Sequence, residues 1–197
     1  RITEVDAQNK LEKFRKLNSK YLFASFDTIA GSGKNGAIIH YRASKNNTKY
    51  IKKNEIFLCD SGGQYKYGTT DVTRTICFSK QSASIKKIFT YVLKGHIAVA
   101  KTDLNKTNVG KKIDKQARKF LKKKGLDYGH GTGHGVGYFL NVHEGPQAIS
   151  KYNNVKILPG MILSNEPGYY EKKKFGIRIE NLIYVEKNKN KIFFKNL

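Results

Sequence analysis

The sequence predicts an α+β domain, with helices packed on one face of a mostly antiparallel sheet. Three observations carry that expectation. Two long segments have helical apolar spacing, short extended runs recur on either side of them, and no repeat or low-complexity linker divides the 197 residues. The apolar share is 39%, which is enough to build a core and excludes a disordered basic tail. No apolar run approaches the roughly 20 residues that cross a bilayer, so a membrane span is not expected.

Residues Thr3 to Leu17 read as an amphipathic outer helix. Thr3 can cap it, Asp6 stands at the reciprocal capping position, and Leu11, Phe14 and Leu17 recur on one face. From Tyr21 to Tyr41 the pattern is extended, with a turn expected at Gly31 to Gly33 and a second break at Asn35-Gly36. A short strand is expected over Ala37 to Tyr41. Glu55 to Asp60 and Thr70 to Phe78 read as an antiparallel pair flanking Ser61-Gly62-Gly63. Helices are expected at about Ser84 to Ala100 and Lys111 to Lys124, the second stopped by Gly125. Alternating glycines from Gly129 to Gly137 predict a loop or irregular strand, and extended stretches follow at Met161 to Asn165, Gly176 to Glu180 and Leu182 to Glu186.

The net charge is +23, which raises a nucleic-acid partner as a first hypothesis. Only six of the 38 cations are Arg, the residue suited to planar bidentate recognition of phosphate and guanine. The lysines are spread along the whole chain, so a solvated Lys-rich shell is the better reading and nucleic acid is not the expected partner. Cys59 and Cys77 form neither a disulfide framework nor a metal motif, which points to a reducing cytosol.

Four carboxylates stand where a sheet should be apolar: Asp60, Asp71, Glu166 and Glu180. Each has an ordinary reading alone. Asp60 and Asp71 would suit strand ends, Glu180 an ion pair with Arg178, and His134 a packed loop. As a set, four buried carboxylates need a cation to neutralise them. With His134 they offer oxygen donors and one imidazole, a set that suits two divalent metals about 3.5 to 4 Å apart.

The motifs around these residues are Asp60-Ser61-Gly62-Gly63-Gln64-Tyr65, Gly68-Thr69-Thr70-Asp71-Val72-Thr73-Arg74-Thr75, Gly129 to Gly137, Asn141-Val142-His143-Glu144-Gly145-Pro146, Glu166-Pro167-Gly168-Tyr169-Tyr170 and Gly176 to Asn181. In order and spacing they closely resemble those of the Xaa-Pro aminopeptidases (aminopeptidase P), members of the pita-bread metallopeptidases, peptidase family M24. The resemblance runs from about Thr3 to the C-terminus. It implies a curved, mostly antiparallel sheet with helices on its outer face.

The resemblance further implies that Asp60 and Asp71 ligate one metal and that Asp71 bridges to a second, completed by His134 and Glu166 with Glu180 as the other bridge. A hydroxide between the two ions would attack the scissile carbonyl, Glu166 would shuttle the proton, and His143 would stabilise the tetrahedral intermediate. His40 would line the site beside the proline, His130 would be a further substrate contact, and Arg178 would orient a ligand carboxylate from behind. The implied cofactor is a pair of divalent ions, usually Mn²⁺, with Co²⁺ or Zn²⁺ as alternatives. The implied activity is a cytoplasmic aminopeptidase that releases the N-terminal residue from peptides with proline in second position. The full-length protein would be a homodimer.

By the same resemblance, residues 1–197 are a catalytic domain lacking the first helices, any N-terminal domain and the extreme C-terminus of a complete relative. Prolidase, which acts on Xaa-Pro dipeptides, is the close rival, and methionine aminopeptidase is a distant one. The rival from another class is a noncatalytic pita-bread module that binds histones, RNA or protein. All five ligand positions are filled, which argues against that module. His96 belongs to no motif and reads as structural.

Overall fold

The computed structural model describes residues 1–140 and 142–197. The chain opens with α1 (Glu4–Lys16), β1 (Tyr21–Ala24), β2 (Ile29–Ser32) and a 3-10 helix at Gly33–Ala37. There follow β3 (Ile56–Ser61), β4 (Gly63–Tyr65), β5 (Gly68–Thr69), β6 (Val72–Cys77), and the two long helices α2 (Ala83–Ala100) and α3 (Gly110–Lys122). The second half is extended: β7 (Gly133–Gly135), β8 (Glu144–Ile149), β9 (Ile162–Asn165), β10 (Gly168–Glu171), β11 (Phe175–Arg178), β12 (Asn181–Asn188) and β13 (Lys191–Asn196). The strands form sheets in the orders β1-β4-β5, β2-β3-β6, β10-β11 and β13-β12-β9-β7-β8. Every pairing between these strands is antiparallel.

Most elements lie where the sequence puts them. Thr3 Oγ1 accepts the Asp6 amide and the Asp6 carboxylate accepts the Thr3 amide, so α1 starts in a reciprocal capping box. β3 and β6 pair as expected, with Asp60 opposite Thr73. Gly125, at φ +69°, follows the end of α3.

Three expectations need correction. The face of α1 formed by Phe14 and Leu17 is not covered: these residues are 56% and 82% exposed. What α1 buries is Glu4, whose carboxylate accepts hydrogen bonds from the Ser32 and Lys49 amides, Asn35 Nδ2 and Tyr41 Oη. The turn expected at Gly31 to Gly33 begins only at Gly33, because Gly31 and Ser32 complete β2. The strand expected over Ala37 to Tyr41 is absent. Gly33, at φ +56°, turns the chain into the 3-10 helix, and backbone bonds from Ile38 to Asn35 and from Tyr41 to Ile38 continue the turn. His40 therefore sits on an exposed turn rather than a strand. β8 was not expected, since Pro146 lies in it. The sheet order makes β8 an edge strand, where a missing amide is tolerated.

The helices cover one side of the sheets. Val99 from α2 and Ile113 and Ala117 from α3 pack on Ile149, Leu163, Ile183, Val185 and Phe194. A second cluster joins Val92 and Leu121 to Ile56, Phe175 and Ile177. α2 and α3 cross at Gly95, where a Cβ would lie 2.4 Å from the Ala117 carbonyl oxygen. No helix among the described residues is long and apolar enough to cross a membrane. Leu163 is fully buried in the strand leading to Glu166. Leu163→Ala should lower stability by about 2–5 kcal/mol, read from the urea midpoint at constant m-value.

Candidate metal centre

Five segments carry the expected ligands, and four of these side chains line one cleft. Asp60 is the fifth residue of β3, Asp71 immediately precedes β6, His134 is the centre of β7, Glu166 follows β9, and Glu180 lies between β11 and β12. The cleft has a volume of about 310 Å³ and is lined by Asp60, Asp71, His134 and Glu166, with His40, His130, His143 and Arg178 around them. Glu180 is 1% exposed.

The closest approaches centre on His134. Its Nε2 lies 3.3 Å from Asp71 Oδ2 and 3.4 Å from Glu166 Oε1. One ligand-type atom each from Asp71, His134 and Glu180 falls within 4.8 Å of the others. His134 Nδ1 is 2.9 Å from the Gly135 carbonyl oxygen, which calls for a proton on Nδ1 and aims Nε2 at the carboxylates. Ser164 Oγ accepts the His134 amide and donates to Glu166 Oε1, joining β7 to β9. That approach depends on Gly133, where a Cβ would stand 2.0 Å from the Ser164 carbonyl oxygen. Gly133→Ala should therefore part β7 from β9 and destabilise the fold by at least about 2 kcal/mol, measured by urea denaturation.

Arg178 is the hub behind the cleft. Its Nη2 donates to Asp60 Oδ2 at 2.6 Å, its Nη1 to Tyr170 Oη at 2.6 Å, and its Nε to Thr73 Oγ1 at 3.1 Å. Thr73 Oγ1 in turn donates to Glu180 Oε2 at 2.7 Å, so Arg178 reaches Glu180 only through Thr73. Tyr170 Oη is 2.8 Å from His130 Nε2, and His130 Nδ1 is 2.7 Å from the Gly131 carbonyl oxygen. The set is closed if Tyr170 accepts from Arg178 and donates to a neutral His130. Burial, with Arg178 nearby, holds the His130 pKa down to about 3.

The carboxylates are shifted the other way. Burial pushes Asp60 up to about 6, with Asp71 adding to the rise and Arg178 opposing it. Burial raises Glu166 to about 7, and burial with Glu166, Asp71 and Asp60 raises Glu180 well above its usual range. Burial lowers His134, but its hydrogen bond to Asp71 and the charge of Glu166 outweigh burial and raise it to about 9. His143 is more exposed, and its ring centre lies 4.2 Å from that of His134. Asn141, which opens the motif containing His143, lies outside the described residues.

These side chains fit divalent cations. Asp60 Oδ1 is buried with no hydrogen-bond partner among the described residues, and Asp60, Asp71, Glu166 and His134 offer hard oxygens and one imidazole to the cleft. Sequence reasoning missed Thr73, Ser164 and Tyr170, which orient the charged groups. Tyr170 and Thr73 both fall inside the quoted motifs. Their signal is a hydroxyl two to four residues from a buried carboxylate, on a strand end facing the same cleft. His96 has the structural place expected of it, buried with Nδ1 3.0 Å from the Asn165 carbonyl oxygen.

Known proteins share this arrangement of the chain. A protein of Arabidopsis thaliana named aminopeptidase P2 is 54% identical over 186 residues, covering 93% of this chain and 26% of its own length. The crystal structure of an X-prolyl aminopeptidase from Caenorhabditis elegans, described as a cytosolic enzyme with a di-nuclear active site, superposes with a TM-score of 0.91 at 39% identity. It covers 99% of this chain and 33% of that one. A prolidase from Pyrococcus furiosus superposes with a TM-score of 0.86 at 30% identity, covering 98% of this chain and 54% of that one. The chain spans about a third or less of the length of the curated relatives it matches. The fold is thus that of the pita-bread enzymes. Residues 1–187 match the profile of metallopeptidase family M24, and the chain belongs to that family.

Proposed function

We propose that residues 1–197 form the catalytic part of an Xaa-Pro aminopeptidase, which releases the N-terminal residue from peptides with proline in second position. The observation that carries this reading is that Asp60, Asp71, His134 and Glu166 line one cleft, with Glu180 buried within reach of Asp71 and His134 and, among the described residues, no partner for Asp60 Oδ1. The names of the plant and nematode relatives supply the substrate class.

In this reading Asp60, Asp71, His134, Glu166 and Glu180 would hold two divalent ions, and manganese would suit the oxygen-rich set. When bound, the ions supply Lewis-acid polarisation of the scissile carbonyl and activation of a water for attack. The remaining work falls to the chain. Glu166, at the edge of β9 and facing the cleft, would take the proton of the attacking water and pass it to the leaving proline nitrogen. His143, its ring tilted against that of His134 on the exposed side of the cleft, would donate to developing negative charge on the carbonyl oxygen. His40 and His130 form walls that orient the peptide, and Arg178 keeps Asp60 and Tyr170 in place. The description of the nematode enzyme supports a cytosolic location for this one.

The test is hydrolysis of Arg-Pro-Pro, Ala-Pro and Met-Ala-Ser by the metal-loaded protein. Cleavage of Arg-Pro in the tripeptide is the expected result. Cleavage confined to Ala-Pro would favour a prolidase, the second reading that the archaeal structure supports. Absence of cleavage at every Xaa-Pro bond would refute the proposal.

A further inference from the structure

A fully buried arginine outside the cleft holds the segment that enters it. Residues 126–132 join α3 to β7 without regular structure and include Gly129 and Gly131, so their own backbone preferences do not fix their path. Arg118 on α3 is 1% exposed. Its Nε donates to both oxygens of Asp114 at 2.9 and 2.8 Å. Its Nη1 donates to Asp127 Oδ1 at 2.7 Å and to the Tyr128 carbonyl at 2.8 Å, and its Nη2 to the His130 carbonyl at 2.7 Å. The guanidinium also lies 3.9 Å from the centre of the Tyr128 ring.

The contacts continue into the site from both ends of this segment. Asp114 is also buried, and its Oδ1 accepts from Thr132 Oγ1 at 2.7 Å. The Thr132 carbonyl accepts the backbone amide of Glu166 at 2.7 Å. One planar cation thus fixes the backbone of His130 directly, and its Asp114 partner fixes the residue on which Glu166 hangs. Lysine offers a compact charge in place of a fork and cannot reach the carbonyls of residues 128 and 130 together.

We propose that Arg118 is a positioning residue: from the outer helix α3, with Asp114, it sets the segment that carries His130 into the cleft and anchors the backbone of Glu166. The role rests on the aminopeptidase reading for its effect on catalysis, but the placement of His130 can be read without any substrate. The first experiment compares Arg118→Lys with Val99→Ala, a core truncation on α2 that removes no polar group and controls for lost stability. Both are assayed on Arg-Pro-Pro with Mn²⁺ below their melting temperatures, and the histidine ring nitrogens are observed by NMR in the metal-free proteins.

The expected result is a kcat for Arg118→Lys about 10- to 100-fold below that of Val99→Ala. The His130 Nε2 resonance should move as its contact with Tyr170 is lost, while the His96 resonances stay in place. Equal kcat and KM in the two variants, with an unmoved His130 signal, would overturn the proposal. If the unmodified protein cleaves no Xaa-Pro bond, the functional reading fails and the NMR comparison alone decides for or against Arg118. Should Arg118→Lys not fold, Thr132→Val removes the hydroxyl that donates to Asp114 and meets Tyr128 Oη, leaving Arg118 in place. A fall in kcat of several-fold supports the arrangement, and an unchanged kcat refutes it.

Discussion

Asp71→Asn should give a folded protein that has lost peptide hydrolysis and metal affinity together. Asp71 is 5% exposed, and its Oδ2 faces His134 Nε2 at 3.3 Å. It also belongs to the compact trio with His134 and Glu180. The amide has the same shape, so packing at the start of β6 is kept, but it carries no charge and presents one fewer acceptor oxygen. In the proposed site Asp71 would be a direct ligand, so its loss should exceed the ten- to hundredfold cost typical of outer partners. The expected fall in kcat/KM on Arg-Pro-Pro is more than about a hundredfold, with weaker Mn²⁺ binding by calorimetry and an unaltered circular dichroism spectrum. Activity that survived this change would refute the two-metal reading.

The metal-free protein should become less stable as pH rises from about 6.5 to 9, and Mn²⁺ should reverse the loss. Asp60 and Glu166 titrate near 6 and 7 when folded and Glu180 titrates well above its usual range, whereas unfolded carboxyls titrate near 4. The folded state therefore binds more protons, and the stability these groups add is complete below about pH 4 and lost as pH climbs from there through their folded values. His134 acts in the same direction, because its contribution is complete below about 6.5 and lost through 9. His130 and His96, lowered by burial, act in the opposite direction and remove stability as pH falls below about 6.5.

Glu180→Gln isolates one contributor. The amide oxygen still accepts from Thr73, and the group can no longer ionise beside three buried carboxyls. Its metal-free melting temperature should exceed that of the unmodified protein at pH 8, by about 2–4 °C for each kcal/mol relieved. Metal should stabilise the unmodified protein by about 2.7 kcal/mol at a concentration one hundred times Kd. It should leave the variant nearly unmoved. A variant less stable than the unmodified protein in EDTA at pH 8 would show that the carboxylates do not strain one another.

The charged members of the centre were legible because charge is conspicuous in apolar strands: Asp60 closes a run of Ile56, Phe57, Leu58 and Cys59, and Glu180 follows Ile177 and Ile179. The helices were legible from caps and period, since Thr3 and Asp6 act at the N-terminus of α1 as their spacing requires. What escaped depends on contacts between distant segments. Nothing near Ala37 to Tyr41 announces that Glu4, far back in the chain, will bind Asn35 and Tyr41 and hold the intervening residues in a turn. Phe14 and Leu17 have helical spacing, but periodicity does not say whether a partner covers the face. Thr73, Tyr170 and Arg118 look like ordinary strand and helix residues until the sheets bring them behind the cleft.

The separation of these parts along the chain has a kinetic consequence. Arg178 and Asp60 are 118 positions apart, and His134 and Glu166 lie on strands that pair only after both long helices have been traversed. A donor set assembled from such remote segments does not exist in a chain that is only partly ordered, so an ion has no specific place to bind until the last sheet has closed. Bound metal should therefore act after the rate-limiting barrier, leaving the refolding arm of a chevron plot in place and lowering the unfolding arm. The ion would serve as a latch on a finished structure, and its escape rather than its capture would set the protein's lifetime against proteolysis.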